Sequence, residues 1–183
     1  MRSNDTYRRM AGGRTQLVRA LASRVVHTHP AVVRVTARLA ELGVTGEVRV
    51  LDDSAPTAPA AAKQLGVEVA QIANSLVFNA DGRPLLVMSS GGHRVDTTKV
   101  AALIGANSVD RATADFVRMH TGFAIGGVAP VGHPEPLPTL VDTALAAHDQ
   151  VWAAAGHPHT VFPTTYDELL RMTGGTPADV GAD

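Results

Sequence analysis

Ser75-Leu-Val-Phe-Asn-Ala-Asp-Gly-Arg-Pro-Leu-Leu-Val-Met88 is the stretch on which the fold turns. Its two apolar runs, Ser75–Phe78 and Pro84–Met88, are of strand length, and Asn79-Ala-Asp-Gly82 between them is a strong hairpin signal. Upstream, Thr57 is placed to cap a short alanine-rich helix ending at Leu65-Gly66, and Glu47–Leu51 alternates like a strand. Further back, Val32, Val35, Leu39 and Leu42 recur at helical spacing, with Gly43 as the stop. Downstream, Asp96 can cap a helix over Thr97–Ile104 ended by Gly105, and a second small helix runs from Ala114 to His120. Strands are expected at Thr139–Val141, Gln150–Ala154 and Thr160–Phe162. Thr165 with Glu168 forms a capping box for a last helix, Tyr166–Met172, before Gly174-Gly175. Short strands and helices interleave without regular βαβ spacing, which favours a mixed α/β sheet over a doubly wound parallel one.

At 183 residues and 45% apolar content, the chain is sized for one domain with a substantial core. No apolar run approaches the roughly 18 residues of a membrane span. The absence of cysteine excludes disulfides, thiolate zinc sites and cysteine nucleophiles together. The N-terminal arginines are not followed by a signal-type apolar stretch, so the chain reads as soluble and cytoplasmic. The net charge of −1 hides an asymmetry. Residues 1–40 hold eight arginines (2, 8, 9, 14, 19, 24, 34 and 38) against Asp5, whereas residues 41–183 hold eight basic residues against sixteen acids. A basic arm on an acidic body suggests contact with a polyanion such as RNA; a solvated helix face explains the arginines equally well. Residues 1–29 look like an appendage, with Gly12-Gly13, room for a helix from Thr15 to Val26, and Pro30 as its close.

Residues 122–134, Gly-Phe-Ala-Ile-Gly-Gly-Val-Ala-Pro-Val-Gly-His-Pro, suit neither helix nor strand. Such a loop can present bare N–H groups to an anion or a developing oxyanion. It lacks the Gly-Lys-Ser/Thr of a P-loop and the glycine spacing of a dinucleotide fingerprint. By itself it reads first as a sharp structural turn.

Six segments in register resemble one family. Ala58-x-x-Ala61-Ala62-x-x-Leu65-Gly66, Gln71-Ile72-x-x-Ser75-Leu76-Val77-Phe78 and Arg94-Val95-Asp96-x-x-Lys99-Val100-Ala101 come first. Thr121-Gly122-Phe123-x-x-Gly126-Gly127-Val128-x-Pro130-x-Gly132, Val141-Asp142 and Asp167-Glu168-Leu169-Leu170-x-Met172-Thr173-Gly174 follow. Over about Val32–Gly174 the chain resembles the YbaK/EbsC family of prolyl-tRNA editing, or aminoacyl-tRNA deacylase, domains. The resemblance implies a single compact α/β domain with a barrel-like mixed sheet flanked by helices. It divides the chain into an arginine-rich extension (1–30), an editing domain (31–175) and a tail (176–183). It implies a trans-acting enzyme, without cofactor or metal, that hydrolyses the ester of mischarged tRNA. The implied substrate is tRNA(Pro) carrying a small non-cognate amino acid. The tRNA acceptor end is the implied partner, with transient synthetase association and no membrane contact.

The resemblance carries residue roles with it. Gly127 is the implied backbone donor to the ester carbonyl, Gly126 and Pro130 shape its loop, and a substrate ribose hydroxyl assists. An ester hydrolase with neither a cysteine nor a G-x-S-x-G elbow still needs oxyanion stabilisation, which backbone donors supply. Asn74 stands where the family usually has lysine, next to Ser75; its neutral amide both donates and accepts but exerts no long-range attraction. A hydrogen bond closing a strand end accounts for Asn74 as well, and a non-catalytic aminoacyl-tRNA or adenosine-compound binding module is the alternative function. Ala154 stands where some members carry serine, and His159 where members acting on alanyl-tRNA place a histidine, giving both an implied place in the substrate site. His157, His159 and His133 form a candidate zinc trio without any supporting carboxylate; backbone-bonded loop histidines are the stronger reading of His157 and His133. Asp142 reads as a helix N-cap, His93, Arg94 and Asp96 as a polar loop cluster able to touch RNA or simply solvated, and Trp152 as core or pocket wall.

Overall fold

The computed structural model describes residues 26–182. The expected helix at Thr15–Val26 lies almost wholly outside them. The first element, α1 (Pro30–Glu41), uses Pro30 at its N-terminal turn, where a missing N–H costs nothing. Proline therefore opens this helix rather than closing the preceding segment. Ala31, Val32, Val35 and Leu39 are its buried stripe.

Strand β1 (Arg49–Val50) is followed by α2 (Ala58–Leu65), capped by Thr57 and ended by Gly66 at φ 68°. A 3₁₀ turn (Val69–Gln71) leads into β2 (Ile72–Ala80) and β3 (Arg83–Ser90). The hairpin is as read from sequence but longer, because the ladder extends by pairs such as Ala73 with Ser90. Its loop is the two residues Asp81 (φ 49°) and Gly82 (φ 87°), the mirror-image turn that matches strand twist. Asn79 Oδ1 accepts from the Gly82 N–H at 2.7 Å and braces it. Next come α3 (Thr97–Ile104, capped by Asp96), β4 (Val109–Arg111) and α4 (Ala114–Thr121). After the glycine loop follow β5 (Thr139–Asp142), a 3₁₀ turn (Thr143–Ala147), β6 (Val151–Ala154), β7 (Thr160–Thr164), α5 (Tyr166–Thr173) and β8 (Thr176–Ala178).

The strands form one mixed sheet in the order β1-β7-β6-β2-β3-β5-β8, with β4 also on β2. Five α-helices lie wholly within the described residues, and among these residues the two ends of the strand path, β1 and β8, do not pair. Residues beyond 175, set apart on sequence grounds as a tail, begin with β8. It pairs parallel to β5, buries Ala178 and leads to the buried Val180. Pro177 is tolerated there because β8 is an edge strand and needs few donors.

One apolar cluster joins α1, the glycine loop, β6, β7 and α5, through Val35, Phe123, Ala153, Phe162 and Leu169. A second gathers Phe78, Leu85, Val87, Val100 and Val180. Between them the sheet has a gap. Strand β3 occupies one edge of β2 throughout, while the other edge meets β6 only at Ile72 and Ala73 and β4 only from Phe78 onward. Asn74–Val77 thus has no strand on that side. Backbone groups of successive antiparallel residues point to alternate edges. The Gly91 N–H bonds Ile72 O, so even-numbered residues of β2 face β3, and Ser75 and Val77 turn their backbones toward the gap.

Candidate functional site

The gap opens into a cavity of about 650 Å³, within the range of small-molecule sites. Asn74, Ser75, Leu76 and Val77 of β2 form one wall. Pro56, Ala58 and Ala61 come from α2 and its approach, Ala154 and Trp152 from β6, Thr160 from β7, and Ile125 and Gly126 from the glycine loop. Four of the seven residues to which the resemblance gives a site role, Asn74, Ser75, Gly126 and Ala154, meet on one cavity, together with His93 and Arg94 of the polar loop cluster and Trp152. Gly127, Pro130 and His159 do not line it.

The reasons are local. Gly127 donates its N–H to Ala124 O at 3.0 Å, closing a turn, and packs so tightly on the next loop that a Cβ there would sit 3.0 Å from His157 Cα. Its donor is spent. Gly126, at φ 88°, lies on the cavity, and its N–H has no partner among the described residues. Pro130 is buried beneath the loop. His159 sits between the lining residues Pro158 and Thr160, donates its N–H to His157 Nδ1 and keeps its ring 5.4 Å from that of His157.

Arg34 of α1 holds the glycine loop from outside. Its Nε donates to Gly132 O at 2.7 Å and its Nη2 to Gly122 O at 3.3 Å, with the guanidinium 4.7 Å from the centre of the Phe123 ring. Arg38 pairs with Glu41. Two of the eight arginines of the basic segment thus serve structure, and Arg34 is a clamp.

The histidines are likewise distributed. His133 Nε2 bonds Ala129 O at 2.8 Å and stands edge-on to Phe123, away from any zinc trio. Burial holds its pKa below the ordinary imidazole value, assisted by the Arg34 charge and opposed by the Ala129 bond. His157 is lowered too, by burial first and then by neighbouring His29 and His159, with the His29 ring 5.0 Å away. Among the described residues no three His, Asp or Glu side chains are grouped to hold a metal ion.

Sequence reasoning missed a pair at the cavity. Asp142 is fully buried and does cap the following 3₁₀ turn through Ala144 N, as read. It also accepts from Ser90 N at 2.8 Å and bonds His93 Nε2, and His93 lines the cavity. Its negative charge, after burial, also raises the Tyr166 pKa. No local signal could have found this contact, since forty-nine residues separate the partners. Trp152 is pocket wall, as read; Arg49 lies 4.8 Å over its ring, and its Nε1 is buried without a partner among the described residues. No helix of the described residues is long and apolar enough to cross a membrane.

Known proteins give this arrangement a context. The profile of the aminoacyl-tRNA editing domain matches residues 52–172. The structure resembles that of a candidate trans-editing enzyme for prolyl-tRNA synthetase, with a TM-score of 0.80 and 42% identity over 85% of this chain and 99% of the other. Proline–tRNA ligase of Geobacillus kaustophilus is 33% identical over 86 residues, 47% of this chain but only 15% of the ligase. The uncharacterized protein YwhH of Bacillus subtilis is 28% identical over 128 residues, 69% of this chain and 81% of that protein. The profile match covers most of the chain and includes the hairpin, the glycine loop and the cavity wall between them: the protein belongs to the aminoacyl-tRNA editing domain family.

Proposed function

We propose that the protein is a trans-acting aminoacyl-tRNA deacylase that hydrolyses the ester of tRNA(Pro) charged with a small non-cognate amino acid. The observation that carries this reading is the convergence of Asn74, Ser75, Gly126 and Ala154 on one cavity beside an unpaired stretch of β2. Water adds to the ester carbonyl, the oxyanion is met by a backbone donor of the glycine loop, and the ribose oxygen leaves with a proton. Gly126, whose N–H is unengaged and which lies on the cavity, suits the donor role better than Gly127. The alanine, valine and leucine side chains of the wall favour a small aliphatic amino acid and only weakly reject a hydroxylated one of the same size. Discrimination of only about 1–3 kcal/mol per methylene gives overlap among small ones.

The test is deacylation of tRNA(Pro) charged separately with alanine, serine, cysteine, 2-aminobutyrate and proline. Release of at least one non-proline amino acid well above spontaneous hydrolysis, with prolyl-tRNA spared, is expected. Release from none of them refutes the reading. The neutral Asn74 in the cavity favours one second reading, a binding module without turnover. An inert natural protein that becomes active as Asn74→Lys is its signature.

A further inference from the structure

Apart from the glycine loop, the cavity has a charge character that the chain as a whole lacks. Residues 41–183 hold sixteen acids against eight basic residues, yet no Asp or Glu lines the cavity, whereas Arg94, Arg111 and His93 do. Most other described cations are committed: Arg34 to carbonyls, Arg38 to Glu41, Lys99 to Asp179, Arg171 to Glu168 and Arg49 to the Trp152 ring. The guanidinium groups of Arg94 and Arg111 have no hydrogen bond or ion pair among the described residues. Their backbones, by contrast, are fixed. Arg94 O accepts from Ala182 N at 2.9 Å and its neighbour Val95 bridges to Gly181, while Arg111 pairs with Phe78 across β2 and β4. Two unpaired, solvent-exposed forks on fixed backbones, in a wall without carboxylates and beside the neutral Asn74, suit an anion that offers paired oxygens.

We propose that Arg94 and Arg111 are a phosphate-binding pair that supplies the cationic role Asn74 lacks, holding the backbone of the single-stranded 3′ end of an acceptor RNA. The proposal rests on the deacylase reading for the identity of the RNA, but its test does not. Affinity for an RNA hairpin with a single-stranded 3′-CCA end is measured against salt for wild type, Arg94→Ala, Arg111→Ala, the double alanine variant and the double lysine variant. Each alanine raises Kd roughly tenfold, the lower end of the effect of a charged hydrogen bond. The double alanine variant flattens the log–log salt slope by about 1.4, two single-strand contacts at about 0.7 each. The double lysine variant keeps the slope while weakening binding, since charge remains and the fork is lost. A folded double alanine variant with the wild-type slope overturns the proposal, as does wild type that does not bind the hairpin. Displacement of the RNA by equimolar AMP or inorganic phosphate also overturns it, by assigning the pair to a free nucleotide or ion. A wild type that binds with the expected slope change but releases no amino acid from any charged tRNA supports the pair while refuting the deacylase reading. Deacylation with an unchanged slope does the reverse.

Discussion

Replacing Arg34 by alanine separates two meanings of the N-terminal basic segment. The side chain makes two bonds to loop carbonyls, at 2.7 Å to Gly132 and 3.3 Å to Gly122, and stacks over Phe123. At a solvent-facing site the shorter bond contributes ~1 kcal/mol and the longer one the bottom of the ~0.5–1.5 kcal/mol range. The cation–π contact adds ~0.5–1 kcal/mol. Together they stabilise the fold by about 2 kcal/mol, which in a chain of this length corresponds to a fall in Tm of about 4–8 °C. Thermal unfolding followed by circular dichroism measures it, with Arg34→Met retaining the packing of the aliphatic stem. Because both carbonyls flank the glycine loop, the amides between them lose protection from hydrogen exchange ahead of the rest of the sheet. The salt dependence of RNA binding stays as in wild type. An unchanged Tm combined with a shallower salt slope refutes the clamp and assigns Arg34 to the polyanion instead.

Asp142→Ala strands the buried Ser90 N–H, removes the cap on the exposed Ala144 N–H and deprives His93 of its partner. At ~1–3 kcal/mol for the unsatisfied buried donor and ~0.5–2 kcal/mol for the lost cap, a loss of about 2–5 kcal/mol is expected, read as a lower urea midpoint at constant m. Asp142→Asn, whose amide oxygen still accepts, loses less; equal stability of Asp142→Ala and wild type contradicts the network. Stability also falls with acidification. His157 and His133 have folded pKa values below the ordinary 6.5, so the unfolded chain takes up protons first as pH drops through that value. The two contributions are complete above pH 6.5, decline below it and level off beneath the folded pKa values. His157→Asn makes the Tm-versus-pH curve shallower between pH 7.5 and 5.5, roughly the span over which imidazoles titrate; an unaltered slope excludes His157 as a source.

Helices were legible because their ends are written locally. Thr57, Asp96 and Thr165 each accept from a backbone N–H of the first turn, and Gly66, Gly105, Gly122 and Gly174 all take left-handed φ where a helix stops. The hairpin was legible for the same reason, its turn chemistry lying within it. Strands β4 and β8 were not. Val109-Asp-Arg111 is short and mostly polar, and Thr176-Pro-Ala178 contains a residue that usually argues against a strand. Each exists because a distant edge, that of β2 or β5, offers it a ladder. The candidate site divides likewise. Asn74, Ser75, Gly126 and Ala154 came from motif position and Arg94 from a polar loop cluster, whereas Arg111 and Thr160 reach the cavity from elements remote in sequence that no motif marked. The engaged Gly127 N–H depends on one turn geometry that glycine permits without prescribing.

The break in the β2 ladder sets fold and recognition in competition for the same atoms. A longer β4, or a β6 extended past Ala154, would bond the backbones that Ser75 and Val77 turn outward and stiffen the centre of the sheet. The same change would fill the opening with protein and leave nothing for a ligand to grasp. The opening is also short, flanked at both ends by strands of the same chain, so a foreign strand finds no run long enough to dock and the aggregation hazard of an exposed edge is contained. Substitutions that raise thermal stability by lengthening either flanking strand are therefore the ones to expect to silence the protein.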